Sequence, residues 1–294
     1  MIRTANTALL IAALIAASVI AAAPAYARLL GQRREAAALP EGARIERDIA
    51  YGPHAKQRFD VYLPAAARDA PILLMVHGGA WRIGDKDNPG LAGAKAAYWL
   101  SRGWVFVATN YRLLPAADPL AQARDVAAAL AAVQRSAPRW GADPARVVLM
   151  GHSAGAHLVA LVGASPALWT QAGALRPRGA VSLDSAALNV PEMMEKPRLP
   201  KLYRDAFGND RAFWTAASPY HRLSGEALPM LIVCSTRRPD SCPQGSALQD
   251  RAAALGVPMQ VLPENLSHAE VNRDLGKPSP YTAQVAAYID GLLR

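Results

Sequence analysis

Short apolar runs rich in valine, isoleucine and leucine recur along the chain, separated by stretches in which apolar residues return at helical spacing. The runs predict strands over 45–50, 58–63, 72–77, 105–110, 147–151, 180–183, 230–235 and 259–262. The 58–63 run alternates, as a strand with one covered face does, whereas the later runs are continuous and β-branched, as strands covered on both faces are. Helical spacing predicts helices over 91–101, 120–136, 154–162, 244–255 and 282–293. Gly103 and Gly256 stand where two of these helices end, and a left-handed residue closes a last turn there. Strand and helix alternate on the scale of crossover units, so the fold class is α/β. The expected architecture is a mostly parallel sheet with helices on both faces, opened by an antiparallel pair at its N-terminal edge.

One connection breaks the pattern. Residues 184–228 separate two strands by far more than an ordinary loop. They carry Met193, Met194, Leu199, Leu202, Tyr203, Phe207, Phe213 and Trp214, enough apolar material for a small cap or one wall of a pocket. A packed helical excursion without substrate contact is the other reading, and the sequence leaves both open. At the other end, residues 1–27 combine Arg3, an alanine-rich apolar stretch and Ala25-Tyr26-Ala27, the layout of a cleavable secretory signal peptide. The stretch is short and weakly apolar for a retained membrane anchor. The expectation is a leader over 1–27, a single domain over 28–294 and a periplasmic or secreted mature chain with no stable anchor.

Composition adds limits. The chain of 294 residues is 52% hydrophobic and 19% charged, which suits one packed domain. Its net charge of +9 invites a phosphate-bearing partner, yet the arginines scatter without a stripe or interleaved aromatics, so nucleic acid is not expected. Export would expose Cys234 and Cys242 to an oxidising compartment, and a disulfide between them is expected. No further cysteine and no histidine pair sits at ligand spacing, so no metal is expected.

Two motifs bring chemistry. Gly151-His152-Ser153-Ala154-Gly155 follows an apolar strand and opens a helix. A serine on such a sharp turn has its hydroxyl pushed outward, and the flanking glycines remove side chains that would collide. The helix start lets the amide of Ala154 donate to a developing oxyanion. His77-Gly78-Gly79-Ala80-Trp81 follows the 72–77 strand, where a hydrolase of this kind carries the other half of its oxyanion hole, here the amides of Gly79 and Ala80. With Asn110-Tyr111-Arg112-Leu113 and Asp143-Pro144-Ala145-Arg146-Val147, these motifs make nearly the whole mature chain resemble an α/β-hydrolase, in the serine esterase branch carrying a His-Gly-Gly-x-Trp loop. Bacterial carboxylesterases, acetyl and feruloyl esterases and arylformamidases are similar at these places. Ala80, where hormone-sensitive-lipase-like esterases have a third glycine, tilts the likeness toward the formamidase and feruloyl-esterase side.

The resemblance implies the chain order nucleophile, acid, base. It assigns Ser153 as nucleophile and His268, just beyond the final strand, as base, with His221 the weaker competitor. Asp240, in the loop after the 230–235 strand, matches the family position of the acid; its rival is Asp184, at the end of the preceding strand. Were Cys234 and Cys242 to pair, the bridge would staple the loop carrying Asp240. His152 is expected as a pocket wall, Trp81 as a pocket wall or a loop anchor, and His157 and His77 as structural residues. The implied activity is cofactor-free hydrolysis of a small-molecule carboxylic ester through an acyl-enzyme. An arylformamidase-type amidase with the same triad is the alternative, and a catalytically inactive binding protein the third reading.

Overall fold

A computed structural model describes residues 38–294; the leader expected over 1–27 lies outside the described residues. Eight strands form one sheet in the order β1-β2-β4-β3-β5-β6-β7-β8. They are β1 (Arg44–Ala50), β2 (Arg58–Leu63), β3 (Ala70–Val76), β4 (Val105–Thr109), β5 (Ala142–His152), β6 (Gly179–Leu183), β7 (Met230–Ser235) and β8 (Met259–Glu264). β2 runs antiparallel to β1 and β4, and every pairing from β4 to β8 is parallel. The expected antiparallel opening and parallel body are both present.

The sheet separates two cores because side chains of a strand alternate between its faces. Along β3, Ile72, Leu74 and Val76 enter one core and Leu73 and Met75 the other. The first core is closed by α2 (Pro119–Ser136) and α3 (Ala154–Ala164), through Val126, Leu130, Leu158 and Val162. The second is closed by α1 (Pro89–Ser101) and α11 (Pro280–Leu292), through Trp99, Leu100, Val285 and Ile289. Two covered faces are why β3, β4, β6 and β7 read as continuous apolar runs. The helix α9 (Ser241–Ala254) begins three residues earlier than its spacing suggested, directly after the β7 loop.

The remaining helices are short. They are α4 (Pro166–Gln171), then α5 (Val190–Met194), α6 (Lys201–Phe207), α7 (Arg211–Ala216) and α8 (Pro219–Arg222) between β6 and β7, and α10 (His268–Arg273). The segment 184–228 is thus a string of four helical turns, with Met193, Met194, Leu199, Phe207 and Trp214 buried in the first core. α10 starts on a capping box, the Ser267 hydroxyl accepting from the Glu270 amide and the Glu270 carboxylate from the Ser267 amide. It is tied to α1 by Lys95, a residue only 1% exposed, whose Nζ donates to the carbonyls of Gly90 and Asn272.

Candidate active site

β5 ends at His152 and α3 begins at Ala154, leaving Ser153 alone on the turn with φ 56° and ψ −115°. The turn is possible because its neighbours lack side chains. A Cβ on Gly151 would lie 2.2 Å from the Gly155 carbonyl oxygen, and one on Gly155 would lie 2.3 Å from that of Val76. The Ser153 amide donates to the Leu183 carbonyl at 3.0 Å, fixing the turn to the end of β6.

Ser153 Oγ lies 2.9 Å from His268 Nε2, and His268 Nδ1 lies 2.5 Å from Asp184 Oδ2. Asp184 is fully buried at φ 58°, one residue past β6. Its Oδ1 accepts from the Ser235 amide at 2.9 Å and from the Ser241 hydroxyl, and its Oδ2 accepts from Arg238 Nη1 at 2.7 Å. Burial alone would raise the carboxyl's pKa; the hydrogen bonds from His268, Ser241, Ser235 and Arg238 outweigh it and hold the group well below the usual carboxylate range. An ionised carboxylate only accepts, so Nδ1 of His268 carries the ring proton and Nε2 is left to accept from the serine hydroxyl. Arg238 Nη1, 3.0 Å from His268 Nδ1, is a second donor converging on the same oxygen.

Asp240, expected as the acid, is not at this site. Its carboxylate is half exposed and pairs with Lys196 at 2.6 Å. The carboxylate that meets His268 comes instead from the end of β6, which pairs directly with β5, the strand leading to Ser153, whereas Asp240 lies one strand further out and past the turn that follows β7. Cys234 and Cys242 are joined by a disulfide. The loop it closes carries Ser235, Arg238 and Ser241, so the staple serves Asp184 rather than Asp240. His221, the competing base, lies on α8 with its Nδ1 against the Ser218 hydroxyl at 3.0 Å.

Gly79, Ala80 and Trp81 take φ of 117°, 51° and 59°, a left-handed run closed by the Arg82 and Ile83 amides donating to the Gly79 carbonyl. Ala80 and Ala154 line a cavity of about 220 Å³ together with Ser153 and His268, while Gly79 lines an adjoining cavity of about 600 Å³. Ser153, Ala80, Leu202 and His268 border both, so the serine stands on the divide between them. Trp81 does both things considered for it: it lines the smaller cavity, and its indole donates to His157 Nδ1 at 3.2 Å. His157 in turn donates from Nε2 to the Ala217 carbonyl at 2.8 Å, linking the oxyanion loop to the segment over the site.

His152 lines the larger cavity, and its Nε2 donates to the His268 carbonyl at 2.9 Å with the two rings 4.5 Å apart. Burial, and then the neighbouring His268, hold its pKa down to about 3, so it stays neutral and positions the backbone of the base. His77 stacks on Tyr111 at 4.4 Å, and burial lowers its pKa to about 4. Sequence reasoning missed Arg238, Ser235 and Ser241, all inside the disulfide loop; of the apolar residues expected for a cap or pocket wall, Leu202 and Tyr203 bring the 184–228 segment to the cavity wall. Among the described residues no group of three or more His, Cys, Asp or Glu side chains is arranged to hold a metal ion.

The BD-FAE family model matches residues 59–244. Esterase LipQ of Mycobacterium tuberculosis is 32% identical over 226 residues, covering 70% of this chain and 53% of LipQ, so the chain spans about half the length of that relative. Kynurenine formamidase of Danio rerio is 33% identical over 125 residues, covering 42% of this chain and 40% of the formamidase. Among solved structures, an inhibited esterase B from Lactobacillus rhamnosis superposes with a TM-score of 0.72 at 22% identity, covering 95% of this chain and 96% of that one. That likeness fixes the α/β-hydrolase fold.

Proposed function

The chain belongs to the BD-FAE family, and from that premise we propose that it is a serine carboxylesterase acting on small ester substrates. The observation that carries the reading is the relay Ser153–His268–Asp184, with contacts of 2.9 and 2.5 Å. Ser153 Oγ attacks the ester carbonyl as its proton passes to His268 Nε2, and Asp184 stabilises the imidazolium that forms. The amides of Ala154, Ala80 and Gly79 take the charge on the carbonyl oxygen. Collapse of the tetrahedral intermediate expels the alcohol, which leaves with the proton returned by His268. Water, deprotonated by the same Nε2, then attacks the acyl-serine and releases the acid, restoring Ser153.

Hydrolysis of 4-nitrophenyl butyrate by the intact chain, compared with Ser153→Ala, tests this. The expected result is loss of essentially all turnover above the uncatalysed rate, and equal rates would overturn the serine mechanism. The formamidase relative keeps a second reading in view, because a formamide carbonyl fits the same relay. Turnover of N-formylkynurenine without turnover of esters would select it. The leader over 1–27 and the paired cysteines support export to the periplasm or medium, where the Cys234–Cys242 bond would persist. N-terminal sequencing of the protein from a periplasmic fraction, beginning at Arg28, is the expected outcome.

A further inference from the structure

We propose that Arg238, with the Tyr203 hydroxyl beside it, selects esters that carry a carboxylate. The inference rests on the esterase reading and adds a substrate class to it. Arg238 stands in the disulfide-closed loop between β7 and α9 and lines the 220 Å³ cavity that holds Ser153. Its contacts with Asp184 and His268 all use Nη1, so the other end of the guanidinium fork is not committed to them. The phenol of Tyr203, on the same cavity wall, interacts with this guanidinium. Apart from Asp184, the rest of the wall, which includes Ala80, Trp81, Ala154, Ser185, Ala186 and Leu202, carries no carboxylate to match the guanidinium.

Charge balance strengthens the case. To accept the serine proton His268 must first be unprotonated, and Asp184 then faces one cation, Arg238. Once His268 takes the serine proton, two cations share that one carboxylate. A neutral chain filling the cavity would strip water from the guanidinium without replacing it, which costs free energy. A substrate carboxylate would replace that water with charge-assisted hydrogen bonds from the fork and from Tyr203. The small volume restricts such a group to a short arm.

The test compares pairs of esters matched in length, each read as the ratio of the variant's preference to that of wild type. The mono-4-nitrophenyl ester of succinic acid and 4-nitrophenyl butyrate differ in a terminal carboxylate on the acyl side; butyryl glycolate and ethyl butyrate differ likewise on the alcohol side. Arg238→Gln is expected to lower the kcat/KM ratio of charged to neutral ester by about 10- to 100-fold in one of the pairs, which identifies the half of the ester that enters the cavity. Arg238→Lys should restore part of the ratio, and Tyr203→Phe should lower it less. Loosening of Asp184 in Arg238→Gln slows both members of a pair alike and cancels in the ratio. Ratios unchanged in both pairs would overturn the proposal and leave Arg238 as a positioning residue for Asp184. If the wild-type chain cleaved no ester, the esterase reading would fail on its own. Thermal stabilisation by succinate over sodium chloride of equal ionic strength would then decide the anion site: present in wild type and lost in Arg238→Gln supports it, and absent in wild type overturns it.

Discussion

Asp184 holds a side chain in the left-handed region of backbone space, at φ 58°, a conformation that costs free energy for a non-glycine residue. Ala80, Trp81 and Ser153 do the same, so four of the six described non-glycine residues with positive φ border the site. What holds Asp184 there is the donors around its carboxylate. Asp184→Asn removes the charge opposite the imidazolium and lets the ring turn its proton toward the serine; kcat should fall on the order of 10⁴-fold. Asp240→Asn, altering a surface pair with Lys196, should leave kcat within about twofold. The opposite ranking in steady-state assays would return the acid to Asp240. Ser153 and His268 were legible because a glycine-flanked serine between strand and helix, and a histidine after the last strand, have places fixed by the chain itself. The acid was not, because Asp184 and Asp240 follow consecutive strands. Only the direction of a side chain on a strained residue distinguishes them, and no periodicity encodes it.

At the scale of elements, the long runs were readable and the short ones were not. All eight strands left a short apolar run and five long helices a period in the sequence, whereas α5 to α8 span four to seven residues, too few turns for a repeating face to register. α10 was missed too, although the Ser267 to Glu270 capping box marks its start. Where elements approach most closely, small residues are required. Gly155→Ala would drive its Cβ to 2.3 Å from the Val76 oxygen and 2.5 Å from that of His77, pushing α3 away from the oxyanion loop. A loss of about 1–3 kcal/mol in denaturant unfolding, with reduced kcat, is expected.

Lys95, joining α1 to α10, makes stability depend on pH. Burial holds its ammonium down to about 7 from 10.5, against the opposing pull of Asp274. Between those values the unfolded chain binds the proton and the folded chain does not, so this group's contribution to stability rises with pH across the window. The contribution is flat below about 7 and flat again above 10.5. The stability of wild type relative to Lys95→Met should therefore climb by about 1.4 kcal/mol per pH unit between pH 7.5 and 9.5. A difference independent of pH would show that the ammonium stays charged in the fold.

For the molecule as a whole, the site is assembled at the carboxyl ends of neighbouring parallel strands, where the loops after β3, β5, β6, β7 and β8 converge. The Cys234–Cys242 bond braces one of those loops. Replacing both cysteines by serine should lower unfolding stability by about 2–3 kcal/mol. It should also reduce kcat, because Ser235, Arg238 and Ser241 all reach Asp184 from within the closed loop. Unchanged kcat with lowered stability would confine the bridge to a role in folding.

The sequence separation of 115 between Ser153 and His268 sets an order on the birth of the site. A polypeptide made from its amino end presents the elbow long before β8 and α10 emerge from the ribosome, and until they dock the serine hydroxyl has no imidazole to deprotonate it. On the esterase reading, the nascent protein therefore carries an unarmed nucleophile until the last parallel strand and the helix after it are in place.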